Sequence, residues 1–159
     1  MSASPPPLEV HPGESATHHR IRDLLGRVTA ALLAEQPALG VFAEHRPARD
    51  RSSGSTWRGA QTLCHVSPLL ASTRAPEAGE DGAGRLLAAA EAVAARGGLH
   101  RRSEQVLQGV SSVSWTDAGG DLLEVVVGVR VAVRAISAPF APEGPAAPRT
   151  VRPAGLTAR

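Results

Sequence analysis

The stretch Leu122-Leu-Glu-Val-Val-Val-Gly-Val-Arg-Val-Ala-Val-Arg134 decides how this chain folds. Leu123, Val125, Val127, Val129, Val131 and Val133 fall on one side of it. Leu122, Glu124, Val126, Gly128, Arg130, Ala132 and Arg134 fall on the other. A period of two is the mark of a strand, because successive side chains point to opposite faces. The spacing therefore predicts a long strand with a buried valine face. Upstream, residues 105–115 carry Val110, Val113 and Trp115 and read as the outgoing strand, with a change of phase near Gly109 of the kind a β-bulge produces. Thr116-Asp-Ala-Gly-Gly-Asp121 supplies the turn, in residues that tolerate positive φ. The result is a predicted β-hairpin over 104–136.

A lone hairpin cannot bury its own apolar face, so the chain must supply a cover. Two segments qualify. In residues 16–35, Ile21, Leu24, Leu25, Val28 and Leu32 recur at helical spacing, with Ser15 or Thr17 as the cap and Pro37 and Gly40 as the stop. In residues 84–97, Leu86, Leu87, Ala90, Val93 and Ala94 form a stripe, and Gly97-Gly98 then supplies a left-handed end with Leu99 placed for the usual apolar contact. Leu39-Gly-Val-Phe42 and residues 62–66 are candidate short strands. His45 to Gly59 and Thr73 to Gly84 read as loops.

The expected fold is α+β, with two helices packed on a small antiparallel sheet built around the C-terminal hairpin. One folded domain over 15–138 is expected between a disordered N-terminal tail, 1–14, and a proline-rich disordered tail, 139–159. No segment reaches the length of apolar sequence that crosses a membrane as a helix, and no secretory leader is legible. A single cysteine, Cys64, cannot form an internal disulfide, which fits a reducing cytoplasm, or export if a leader has been removed.

Composition says less than it first suggests. All 17 basic residues are arginine, and lysine, asparagine and tyrosine are absent. The missing residues are those with AT-rich codons, so a GC-rich bacterial genome accounts for the arginine excess. Residues 1–80 balance eight arginines with eight acids, and residues 81–159 balance nine with seven. Neither half is a basic arm, which makes nucleic acid a poor candidate partner.

The chemical motifs are sparse. Gly79-Glu-Asp-Gly-Ala-Gly84 precedes a helix but lacks the strand in front that a phosphate cradle needs, and its acids repel phosphate. Cys64 and His65 are neighbours on a predicted strand, so they face opposite ways. The six histidines, His11, His18, His19, His45, His65 and His100, include no pair spaced i, i+4. They read as scattered surface residues, and neither a metal nor a cofactor is expected. No G-x-S-x-G elbow is present. The Arg-rich loop 45–59 holds Arg46, Arg49, Arg51, Trp57 and Arg58, in which guanidinium forks and an indole suit an anion or a stacked base. The strand face with Leu122, Val126 and Arg130 is a mixed surface suited to a protein partner, a second copy of the chain included.

Two further stretches are Leu86-Leu-Ala-Ala-Ala-Glu-Ala-Val-Ala-Ala-Arg-Gly-Gly98 and Val113-Ser-Trp-Thr-Asp-Ala-Gly-Gly-Asp-Leu122. With the long strand after them, they resemble a family of small actinobacterial lipoproteins, the mycobacterial lipoprotein A type, over about residues 84–140. That family is exported and anchored by lipid on an N-terminal cysteine, which this chain lacks. The resemblance also implies a second cysteine after the last strand, pairing with the central one. At that place this chain has Ser137-Ala-Pro-Phe140, so it would be a cytoplasmic or leaderless relative with Cys64 unpaired. The family implies no enzymatic activity and no ligand.

The leading expectation is a non-enzymatic interaction or accessory protein acting through Leu122, Val126 and Arg130. The alternative is anion or nucleic-acid binding through Arg46, Arg49, Arg51, Trp57 and Arg58. An enzyme with a pocket assembled from distant residues stays open, because sequence does not show which residues converge.

Overall fold

The computed structural model describes residues 13–142. Most of the two expected tails lies outside the described residues. Helix α1 spans Glu14–Glu35 and buries Ile21, Leu24, Leu25, Val28 and Leu32, the stripe that the spacing predicts. Its start differs from expectation. Gly13 is the N-cap, and Ser15 and Thr17 lie inside the helix. The Thr17 hydroxyl donates back to the Gly13 carbonyl at 2.9 Å. Pro37 ends the helix by opening a 3₁₀ turn, Pro37–Leu39.

Helix α2 spans Glu80–Arg96 and buries Leu86, Leu87, Ala90, Val93 and Ala94. It begins four residues before the expected start, with Glu80 and Asp81 in the first turn, where the helix dipole favours negative charge. Gly82 is inside the helix, and a Cβ there would sit 3.2 Å from the Glu77 carbonyl and 3.3 Å from Gln36 Nε2. That closeness has a use. The buried Gln36 amide donates to the Gly82 carbonyl at 3.0 Å and accepts from the Glu77 N–H at 3.0 Å, tying the end of α1 to the start of α2. The end of α2 is as predicted. Gly98 has φ +79°, Leu99 N–H bonds Ala94 O at 2.8 Å, and Leu99 is buried.

The strands are β1 Phe42–Arg46, β2 Arg49–Trp57, β3 Ala60–Val66, β4 Leu69–Ser72, β5 His100–Leu107, β6 Val110–Thr116, β7 Leu122–Val127 and β8 Val131–Ile136. They form one antiparallel sheet in the order β1-β4-β8-β7-β6-β5, with β2 paired to β3 and β3 touching β8 at Val66 and Ile136. The fold class is α+β, as expected, but the sheet is larger than a hairpin.

Two expectations give way. The predicted hairpin 104–136 is a four-stranded meander. Its supposed bulge is a two-residue turn, Gln108-Gly109, with φ of +51° and +77°. Its supposed long strand folds back at residues 128–130, where Gly128 N–H bonds Arg130 O at 3.0 Å and Val127 pairs with Val131. A three-residue loop between paired residues preserves odd–even parity, so the alternation runs on through the turn. Val129 is therefore not on the buried face; it is 81% exposed. The expected loop 45–59 is likewise mostly strand β2. It turns into β3 at Arg58-Gly59, with φ of +50° and +75°. Of Leu39-Gly-Val-Phe42, only Phe42 is in a strand.

The segments β1–β2 and β3–β4 are the two arms of one long ribbon, interrupted on facing sides at Pro47-Ala48 and Ser67-Pro68. Proline has no N–H to give the ladder. Ser67 mends the break, its N–H bonding Ala135 O at 2.8 Å and its hydroxyl accepting from Ala135 N–H at 2.9 Å. Beyond the break the outer half of the ribbon pairs with the chain after β8, where Leu63 and Phe140 exchange backbone bonds of 2.9 and 2.8 Å. Phe140 is fully buried, so order extends past the expected boundary at 138.

Both helices lie on one face of the sheet, over Val113, Trp115, Leu123, Val125, Val127, Val131, Val133 and Ala135. Among the described residues no helix is long and apolar enough to cross a membrane.

The corrected register sets one pair of mutations apart. Leu123→Ala removes a fully buried side chain and should cost about 2–5 kcal/mol, whereas Val129→Ala at the turn should change stability by less than about 0.5 kcal/mol. Urea unfolding of both variants measures this, and an equal loss at both positions would restore the continuous strand.

Candidate functional site

Three side chains from separate elements meet where α1 crosses the outer half of the ribbon. Asp50 and His65 are directly opposite in the β2–β3 register, so their side chains share a face. His65 Nδ1 lies 2.7 Å from Asp50 Oδ1. His18, in the second turn of α1, brings its Nε2 within 3.0 Å of Asp50 Oδ1 and 3.1 Å of Oδ2. The carboxylate thus accepts from both imidazoles, which requires the Nε2–H form of His18 and the Nδ1–H form of His65. The two rings are 4.1 Å apart at 42°, and the Phe140 ring meets His18 edge-on at 5.8 Å.

Two of the three are held from behind. His65 N–H bonds the Ser137 hydroxyl at 2.8 Å, and Ser137 N–H bonds His65 O at 2.8 Å. The setting of α1 is fixed two residues past His18 by Arg20, whose guanidinium grips Asp121 through bonds of 2.7 and 3.1 Å. Asp121 is buried and also accepts from Ala138 N–H at 2.7 Å. Hydrogen bonding to Asp121 raises the Arg20 guanidinium above its ordinary range. The three side chains are partly open to solvent, at 31% for His18, 24% for Asp50 and 12% for His65.

His18 and His65 also line a cleft of about 340 Å³ between α1 and the ribbon. Its other walls are mainly apolar, with Ile21 and Leu25 from the helix and Pro68 and Leu70 from the ribbon. Gly26 lies on the helical side, where a Cβ would meet nothing within 4 Å. Arg22 brings a positive charge and has no ion pair among the described residues. The volume lies in the range of small-molecule sites.

The residues singled out from sequence are placed differently. Arg46, Arg49 and Arg51 pair with Leu69, Val66 and Cys64 respectively, on the side of the ribbon away from Asp50. Arg46 and Arg49 border a shallow hollow with Arg134, which is itself bonded to Glu124 at 2.6 Å. Trp57 and Arg58 sit at the ribbon tip, about 20 Å of strand from Arg51. There Arg58 stacks 4.4 Å over the Trp57 ring. The five therefore do not form one anion site. Leu122, Val126 and Arg130 are also spread out. Leu122 pairs with Ile136 at one end of β7, Val126 pairs with Ala132 near the other, and Arg130 is in the turn. Cys64 faces away from His65, as strand geometry predicts.

The His–Asp–His convergence contradicts the expectation of scattered histidines. His18 and His65 are 47 positions apart, so a search for i, i+4 pairs could not find them. One signal was available. Reading Arg58-Gly59 as a two-residue turn pairs β2 with β3 to within a two-residue slip. That slip keeps parity and leaves Asp50 and His65 on one face.

No protein-family model matches the chain, and no curated protein matches it. A solved structure is similar in fold: a DUF4853 family protein from Actinomyces odontolyticus ATCC 17982. It has 16% identity and a TM-score of 0.53, and the match covers 89% of this chain and 74% of that one. At that identity the likeness concerns fold alone.

Burial pushes the Cys64 thiol above its usual range, and the nearby Arg51 opposes this only in part. At pH 8 the thiolate fraction is thus smaller than in free cysteine. Alkylation by iodoacetamide should be slower than for free cysteine, recover as pH rises past the normal thiol range, and slow further in Arg51→Ala. A rate at pH 8 above that of free cysteine would contradict this assignment.

Proposed function

We propose that this protein is a non-enzymatic binding protein whose site is the cleft between α1 and the ribbon. The observation that carries the reading is an apolar cavity of small-ligand size with His18, Arg22 and His65 among its lining. The chemistry of those walls favours a small amphiphile, with its apolar body against Ile21, Leu25 and Leu70 and an anionic group toward Arg22. Hydrolytic catalysis is less favoured because no activated nucleophile adjoins the imidazoles among the described residues. The Cys64 thiol is on the other face of β3. The Ser67 hydroxyl is buried and already engaged with Pro68 O at 2.8 Å and with Ala135 N–H.

Gly26 gives a clean test. Gly26→Leu projects a side chain at the cleft from the middle of a helix, where replacing glycine also favours the helix by roughly 0.5–1 kcal/mol. The anionic amphiphile 8-anilinonaphthalene-1-sulfonate should bind the natural protein at one equivalent with enhanced fluorescence. Gly26→Leu should abolish that binding while the melting temperature holds or rises, and Arg22→Gln should weaken it. Dye binding that is unaffected by Gly26→Leu would remove the cleft from the reading.

A second reading, protein association, is favoured by a separate observation. Four of the five large apolar side chains exposed among the described residues, Val106, Leu107, Val110 and Val129, gather at the β5–β6 and β7–β8 turns. Val126, on the face bearing Leu107 and Val110, and Arg130 lie at the same end. A second copy of the chain is the simplest occupant. Sedimentation velocity should show a concentration-dependent dimer that Leu107→Asp abolishes; a monomer at every concentration up to the millimolar range would end this reading.

A further inference from the structure

We infer that His18, Asp50 and His65 form a binding site for one divalent transition-metal ion, with zinc the ion this donor set fits. The site shares its histidines with the cleft, yet the inference stands whether or not the cleft takes an organic ligand.

The donors are two imidazole nitrogens and one carboxylate oxygen, the mixed nitrogen–oxygen set that zinc accepts when it keeps an open position. His18 Nε2, His65 Nδ1 and a carboxylate oxygen of Asp50 all lie within 4.8 Å of one another. A tetrahedral ion with bonds of about 2.0–2.1 Å holds its donors roughly 3.3–3.4 Å apart. The present separations from Asp50 Oδ1 are 3.0 and 2.7 Å, so these two pairs need to open by well under an ångström, and the two imidazole nitrogens already lie within 4.8 Å of each other. Such an opening is a rotamer adjustment, since the backbones at these positions belong to α1, β2 and β3. Each neutral imidazole presents a lone pair to the ion by moving its hydrogen to the other ring nitrogen, Nδ1 in His18 and Nε2 in His65.

The surroundings favour an ion over a purely structural hydrogen-bond trio. The array is partly exposed, so an ion can enter, and it walls a cleft that can supply a fourth ligand as water or as a donor atom of an occupant. His65 is fixed through its backbone on both sides by Ser137, and Phe140 stands against His18. Preorganised donors of this kind are what metal affinity requires. One carboxylate offsets half the charge of the ion. With Arg22 in the same cleft, the loaded site is net positive and suits an anionic ligand group.

The test uses the full, untagged chain and metal salts alone. Titration with zinc chloride in a calorimeter should give one equivalent bound. Cobalt(II) should give the visible absorption of a tetrahedral or five-coordinate site, which zinc then bleaches. His18→Gln, His65→Gln and Asp50→Asn should each weaken zinc by roughly 100-fold or more. His100→Gln, at an exposed residue outside the array, should leave it unchanged. Zinc should also raise the melting temperature of the natural chain but not of His18→Gln, which guards against loss through misfolding. Failure to bind zinc, or binding retained in both His18→Gln and His65→Gln, would overturn the inference and leave a hydrogen-bonded trio. Dye binding blocked by Gly26→Leu in a chain that ignores zinc would discard the metal site and keep the cleft. The reverse pattern would discard the cleft and keep the metal.

Discussion

Burial of the odd-numbered residues of β7 and β8 beneath the two helices is the interaction on which everything else rests. Leu123, Val125, Val127, Val131, Val133 and Ala135 form a continuous apolar surface, and α1 and α2 lay their own stripes across it. Each large side chain removed from water there contributes about 1.5–3 kcal/mol. No polar network among the described residues matches that sum, and without the cover the strands would present an aggregation-prone face. Directional contacts then choose one packing among several. Gln36 joins the helices end to end, and Arg20 with Asp121 ties α1 to the turn before β7 and to the chain after β8. The removal of either Gln36 or Asp121 would leave a buried polar group without its partner, which costs more than the bond itself contributes.

The site arises from a flaw in an otherwise regular sheet. Were the ribbon 42–72 unbroken, its outer half would carry straight on from β1 and β4. Pro47 and Pro68 prevent that by withholding N–H groups at facing positions, and Ser67 supplies the hydroxyl that keeps β8 bonded across the gap. The outer half then lies against α1 and the Ser137–Phe140 segment. The cleft and the His–Asp–His array both sit at this junction. Groups held on three separate elements are fixed relative to each other only as firmly as those elements are packed, which links site geometry directly to core stability.

Charge is arranged locally rather than as a broad field. The ribbon face bearing Arg46, Arg49 and Arg51 is opposite the face bearing Asp50, so these three arginines do not converge on the cleft. Arg58 is turned onto Trp57, Arg134 onto Glu124, and Arg101 onto Glu91 and Glu104. Glu91 accepts from Arg101 at 2.9 Å and from the buried Trp115 indole at 3.3 Å, and these bonds hold its carboxyl below the usual range. Arg22 stands beside the apolar cavity, a guanidinium without an ion pair among the described residues.

Sequence by itself determined the covering helices and the buried side of the last two strands, because helical and strand periods are local properties written in consecutive side chains. The Gly97-Gly98 end of α2 and the turn at Asp117–Asp121 were equally legible, since each depends on a few neighbouring residues. It concealed the folding back at residues 128–130, where an odd-length loop preserves alternation, and it made strand β2 look like a loop because its exposed Arg, Ser and Gly residues carry no apolar period. The meeting of His18, Asp50 and His65 was beyond its reach. That meeting depends on how far the ribbon bends and on which face of α1 turns toward it. Both are set by contacts between residues tens of positions apart, and such contacts exist only once the core has closed.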